Sequence, residues 1–99
     1  MPPVTLLGKR KLGTIVRAAT QSRTITIDYM DSNGILTTGR VVQPYEIKKG
    51  GIYAYDVNKA NIRFCKLSGI KRVVMNKGGF TPLWPIKIEP EVKFYETIN

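Results

Sequence analysis

The chain has 99 residues, with 16 Lys or Arg against 7 Asp or Glu, a net charge of +9 and a pI near 9.9. It has no histidine and one cysteine, which excludes an imidazole base, a His-based zinc site, a thiolate cluster and an intrachain disulfide. One domain with a modest core is expected at this length, and its positive surface favours polyanions, with nucleic acid ahead of acidic proteins and anionic membranes.

Residues 1–10 read as a flexible basic arm. Pro2 and Pro3 oppose regular pairing, Gly8 opposes a helix, and Lys9, Arg10 and Lys11 form a short basic run. That run is either a solvated flank or a phosphate-contacting arm. No secretory signal and no apolar stretch near the roughly 20 residues of a membrane span is visible, so a cytoplasmic protein is expected. Over 11–21, Leu12, Ile15, Val16 and Ala19 form one apolar stripe, which predicts a short helix with Arg17 on its other side. Gln21 and Ser22 end it.

The run Thr24-Ile25-Thr26-Ile27-Asp28-Tyr29 alternates, with Ile25, Ile27 and Tyr29 on one face of a strand. Asp31-Ser32-Asn33-Gly34 is a turn signal, because Asn-Gly reaches positive φ readily. Segments 24–30 and 35–43 are therefore predicted to form an antiparallel hairpin. Gly39 permits a bulge, and Pro44 marks a break before Tyr45-Glu46-Ile47. Lys48-Lys49-Gly50-Gly51 turns the chain into a third strand over 52–57, with Tyr53, Tyr55 and Val57 on one face. A fourth strand follows at 62–67, a kink at Ser68-Gly69, and a fifth strand at 70–75 that Asn76-Lys77-Gly78-Gly79 interrupts. Short strands and tight turns after one helix predict an all-β, closed five-stranded barrel, which would also remove exposed sheet edges.

The expected organisation is the arm at 1–10, a helix plus barrel at 11–77, and an extension at 78–99. The extension carries Phe80, Leu83, Trp84, Ile86, Ile88, Val92, Phe94 and Tyr95, too much apolar surface to stay in water. It is expected to pack on the barrel or on a partner, with Phe80, Trp84, Phe94 and Tyr95 as anchors and a late strand near 91–97. The positive charge belongs to residues 1–80, which hold 14 Lys/Arg and 4 Asp/Glu, a net of +10; residues 81–99 hold 2 and 3, a net of −1.

No paired-carboxylate motif, phosphate-binding loop or metal-ligand cluster is legible, so no catalysis, metal or cofactor is expected. Cys65, inside a strand, reads as a packed thiol. The chemistry that remains is basic and aromatic. Arg40, Arg63 and Lys66 project from neighbouring strands, where Arg suits forked phosphate contact and Lys supplies a point charge; equally, Arg40 and Arg63 suit a pair with Asp28 or Asp56, and Lys66 an ordinary surface charge. Tyr45, Tyr53 and Tyr55 offer flat faces for stacking, or equally pack the barrel. Lys9, Arg10, Lys11, Arg17, Arg23, Lys71 and Arg72 are auxiliary cations, or ordinary surface charges. Positive surface with aromatic platforms is how single-stranded nucleic acid is commonly held.

The segment from Ile15 to about Met75 resembles the WYL domain of bacterial transcription regulators and related prokaryotic or phage proteins. The resemblance rests on Ile15-Val16-Arg17-Ala18-Ala19, Arg23, Ile25 to Tyr29, the Asn33-Gly34 turn, Arg40-Val41-Val42-Gln43-Pro44-Tyr45 and Arg63-Phe64-Cys65-Lys66-Leu67. The name-giving triplet falls at Ile52-Tyr53-Ala54, which keeps only its Tyr, and Gly69 stands where the family carries an Arg before the closing Ile70. The resemblance implies an Sm-like or SH3-like barrel and a ligand-sensing module for nucleic acid or nucleotide-like effectors. The expectation is a non-enzymatic accessory regulator that binds single-stranded nucleic acid or a nucleotide-like anion. The rival expectations are a protein-interaction module working through the extension and a structural Sm-like homo-oligomer.

Overall fold

The computed structural model of the chain describes residues 6–48 and 50–88, with side chains from residue 10 onward. In order, the elements are α1 (Leu6–Thr20), β1 (Arg23–Met30), β2 (Leu36–Lys48), β3 (Gly51–Asp56), β4 (Asn61–Lys66), a 3-10 turn (Leu67–Gly69) and β5 (Ile70–Gly79). The helix begins at Leu6, so residues 6–10 of the expected arm at 1–10 are helical, Gly8 included. Packing of the apolar stripe overrides the weak propensity of one glycine. The helix ends where Ser22 takes a left-handed φ of 51° and its N–H donates to the carbonyl of Ala19.

The predicted hairpin forms: β1 and β2 pair antiparallel, with Ile25 opposite Val42 and Met30 opposite Leu36. Asp31 ties the turn by accepting the N–H groups of Asn33 and Ile35, and Gly34 sits at φ +80°. Strand β2 does not break at Pro44. It runs through a bulge between Pro44 and Glu46, pairing with β1 up to Val42 and with β3 from Val42 onward. β5 likewise continues through Gly78 to Gly79, because Arg23 at the start of β1 pairs with its end.

The strand order is β4-β3-β2-β1-β5, all antiparallel. The two edge strands are thus consecutive in sequence. In a flat sheet they would stand about 19 Å apart, four spacings of roughly 4.8 Å. The four residue steps from Lys66 to Ile70 span at most about 14 Å. The sheet must therefore curl. It does not close into the expected barrel: no ladder joins β4 and β5 among the described residues. A side chain occupies the gap instead, the Tyr29 hydroxyl accepting the Lys66 N–H at 3.2 Å. The Gly69 position follows from this seam. A Cβ there would lie 2.6 Å from the Met30 carbonyl oxygen and 2.7 Å from the Tyr29 ring.

The helix fills the concave side. Ile15 and Ala18 pack against Ile25, Ile27, Val42, Ile52, Ala54, Cys65 and Ile70, all fully buried. Burial of each large aliphatic side chain contributes about 1.5–3 kcal/mol. A second cluster joins Leu12, Val16 and Ala19 to Ile88. It exists because β2 leaves β1 behind after Val42, so the free edge of its second half is taken by the segment after β5. The Lys87 N–H donates to the Tyr45 carbonyl (2.7 Å), and the Leu83 N–H to the Tyr45 hydroxyl (3.0 Å). Residues 80–88 form a strap across that edge. Phe94, Tyr95 and the expected strand at 91–97 lie outside the described residues.

Candidate nucleic-acid interface

Strand alternation separates the expected binding residues onto two faces. On β3, Ile52, Ala54 and Asp56 point inward and Tyr53 and Tyr55 outward; on β4, Arg63 and Cys65 point inward and Ile62, Phe64 and Lys66 outward. Arg40, two residues before buried Val42, also points inward. Its side chain is 10% exposed and its Nε lies 3.4 Å from Asp56 Oδ2, whose side chain is 1% exposed. The alignment is too poor for a hydrogen bond, and Arg40 Nη1 and Asp56 Oδ2 both lack a hydrogen-bond partner among the described residues. Asp56 Oδ1 instead accepts the N–H groups of Asn58 and Lys59 and so builds the β3–β4 turn. Arg40 is therefore an interior residue: of its two expected roles it takes the pairing with Asp56 and not the surface phosphate contact.

Tyr45 is likewise buried. Its hydroxyl donates to Gln43 Oε1 at 2.9 Å, and its ring meets Phe80 and Trp84 edge-on at 5.8 and 5.3 Å. It anchors the strap rather than offering a free face. Tyr55 supports Trp84 at 5.8 Å. Tyr53 remains exposed, its ring 5.0 Å from that of Phe64.

Arg63 and Lys66 do come together. The open seam between β4 and β5 leaves a groove of about 530 Å³ lined by Tyr29, Asp31, Arg63, Phe64, Lys66 and Lys71 among others. Among the described residues no carboxylate lies within ion-pair distance of Arg63, Lys66 or Lys71. Lys71 also lines a smaller recess of about 150 Å³ with Arg10 and Lys11. Lys11 Nζ donates to the Ile70 carbonyl at 2.6 Å, and burial together with the nearby Lys71 charge holds its pKa below the usual 10.5. Five cations thus border two adjoining hollows through a shared lysine.

The other auxiliary cations are placed differently. Arg17 projects from α1 and donates to Thr14. Arg23 donates to the Asn76 carbonyl and to Gln21, which fixes β1 beside β5. Arg72 pairs with Asp28 at 2.8 Å; that hydrogen bond, then the Gly39 N–H, hold the Asp28 carboxyl below its usual range, and the same pairing raises Arg72. The Lys9 side chain lies outside the described residues. Burial pushes the Cys65 thiol up, against an opposing pull from Arg40 and Arg63, so it is a packed thiol. The sequence reading missed Tyr29 and Phe64 as groove residues. Nothing in an Ile-x-Ile-x-Tyr pattern reveals that the last ring reaches across a seam.

These features define a curled five-stranded antiparallel module, backed by one helix, with unpaired cations at its open seam. The WYL domain family model matches residues 10–75, and the chain belongs to the WYL domain family. No curated protein matches the chain. Among solved structures it is similar to proteasome accessory factor B/C (PafBC) of Arthrobacter aurescens, with a TM-score of 0.66 and 18% identity over 86% of this chain. The chain spans about 15% of that protein's length, and the likeness is one of fold. The family match ends inside β5, so the strap lies beyond it. The triplet departures read as packing, since Ile52 and Ala54 are both fully buried while Tyr53 alone faces out.

Proposed function

We propose that this WYL module is a non-enzymatic, cytoplasmic accessory regulator that holds single-stranded nucleic acid, or a nucleotide-like anion, along the β4–β5 seam. The observation that carries the reading is the run of Arg10, Lys11, Lys71, Lys66 and Arg63 around two hollows that share Lys71, with Asp31 the one carboxylate among their described lining residues. Backbone phosphates meet these cations, and Phe64 with its neighbour Tyr53 supplies the apolar surface that unpaired bases seek. Single strands are favoured over duplex, because stacking on Phe64 and Tyr53 needs bases that are not already paired and stacked.

Fluorescence anisotropy with labelled oligothymidylate tests this. The double variant Arg63→Ala, Lys66→Ala is expected to bind more weakly, and to lower the slope of log affinity against log salt by about 0.7 per phosphate contact removed. Wild-type affinity and an unchanged slope in that variant would reject the seam as the binding surface. A second reading, a protein-interaction module, is favoured by the tip of the β1–β2 hairpin, where Met30, Ile35 and Leu36 are 36%, 61% and 49% exposed. Sedimentation at rising concentration, with and without oligonucleotide, separates self-association through that tip from strand binding.

A further inference from the structure

We infer that the strap adds a second subsite, in which Trp84 and Tyr53 receive an unpaired base of the same strand whose phosphates occupy the seam. The inference rests on the seam reading and deepens it, because it assigns a binding role to residues outside the span shared with the family.

Trp84 is 45% exposed, yet it is not a loose side chain. Tyr45 meets its ring at 82° and 5.3 Å, and Tyr55 at 51° and 5.8 Å. The strap backbone is pinned on both sides of it, by Leu83 to the Tyr45 hydroxyl and by Lys87 to the Tyr45 carbonyl. The ring is thus pre-positioned before any ligand arrives, which lowers the ordering penalty of binding. It borders a groove of about 480 Å³ with Tyr53, Ile62, Pro85, Lys48 and Lys87. That volume falls within the roughly 300–1,000 Å³ of small-molecule sites. Aromatic walls with lysines at the rim suit a base and its phosphate. The single carboxylate of the lining, Glu46, lies 3.7 Å from Lys48 Nζ.

Continuity fixes the occupant. Tyr53 lines this groove and its ring lies 5.0 Å from Phe64, which lines the seam groove. A strand seated on Arg63 and Lys66 that continues over Phe64 and Tyr53 enters the groove that Trp84 lines. Stacking on such rings tolerates any base, so weak sequence preference is expected.

Trp84 is the sole tryptophan, so its emission reports this subsite alone. Wild-type protein is titrated with oligothymidylates of three and twelve nucleotides, with thymidine monophosphate and with inorganic polyphosphate, while anisotropy of labelled oligonucleotide follows total binding. The twelve-mer is expected to quench the emission, and polyphosphate to compete for the seam without quenching. Tyr53→Ala, and separately Trp84→Ala, are expected to weaken the twelve-mer about five- to hundred-fold, and Trp84→Ala to leave the three-mer little changed. Twelve-mer binding that is sensitive to Arg63→Ala, Lys66→Ala but leaves the emission unmoved, with Trp84→Ala at wild-type affinity, would overturn the subsite and keep the seam. Equal quenching by the mononucleotide at equal affinity would also overturn it, as an isolated nucleotide site. If no oligonucleotide binds, both readings fall together.

Discussion

Two Asp–Arg pairs in this molecule share their chemistry and differ in surroundings. Arg72 and Asp28 approach to 2.8 Å with side chains 54% and 17% exposed, whereas Arg40 and Asp56 stand 3.4 Å apart with side chains 10% and 1% exposed. The shorter pair is the weaker contributor to stability, because water and salt compete for both of its members. The longer pair has no such competitor, so removal of one member strands the other in the interior. Distance alone does not rank ion pairs; the medium does. Arg63 is the third case, inward by alternation like Arg40 but at the rim, with no carboxylate within ion-pair distance among the described residues, which is why an external anion is proposed there.

The largest expected effect breaks the buried pair. Asp56→Ala removes the partner of Arg40 and two hydrogen bonds of the β3–β4 turn, and should destabilise the fold by about 3–5 kcal/mol, read as a lower urea midpoint at unchanged slope. Arg63→Ala should shift stability by no more than about 0.5 kcal/mol, as for other surface changes, while weakening oligonucleotide binding. If the two variants proved equally stable, the distinction between interior and rim arginines would collapse. Next in size is the seam. Gly69→Ala places a methyl group against the Met30 carbonyl and the Tyr29 ring, and about 1–3 kcal/mol of destabilisation is expected in the same titration. A neutral result would show that Tyr29 swings away freely and does not bridge β1 to β4. Cys65 gives a kinetic counterpart: it should react with an aromatic disulfide reagent only as fast as the chain unfolds, because burial both hides the thiol and keeps it protonated.

Much of this fold is legible in the sequence because its signals are local. The Ile25–Tyr29 alternation, the Asn33-Gly34 turn and the stripe from Leu12 to Ala19 each specify an element without help from elsewhere. Gly8 and Pro44 misled for the complementary reason, since tertiary pairing carried the helix and β2 straight through them. Closure was misread because short strands suit a barrel and an open curled sheet equally well; what decides is Tyr29 taking the Lys66 N–H, a contact between residues 37 apart. The proposed surface was half legible. Charge and aromatic content pointed to Arg63, Lys66 and Tyr53, but the bulge after Pro44 turned Tyr45 under the strap, and the long-range pair with Asp56 withdrew Arg40.

The smallest expected effect concerns the exposed pair and completes the comparison. Asp28 is held below its usual pKa of 3.8, chiefly by its hydrogen bond from Arg72 and next by the Gly39 N–H. A carboxylate depressed by folding stabilises the native state at every pH above its unfolded pKa, and that contribution disappears as pH falls through the folded value. Asp28→Asn keeps an acceptor for Gly39 but removes the charge. The gap in urea midpoint between wild type and Asp28→Asn should therefore be small and constant above about pH 5. It should shrink as pH drops below 3.8 and nearly vanish once Asp28 is protonated in both folded and unfolded chains. High salt should shrink the same gap at pH 7, because Arg72 is more than half exposed. The Asp56→Ala deficit, carried by a pair that water does not reach, should barely respond to salt; if both gaps screened alike, burial would not be what separates the two pairs.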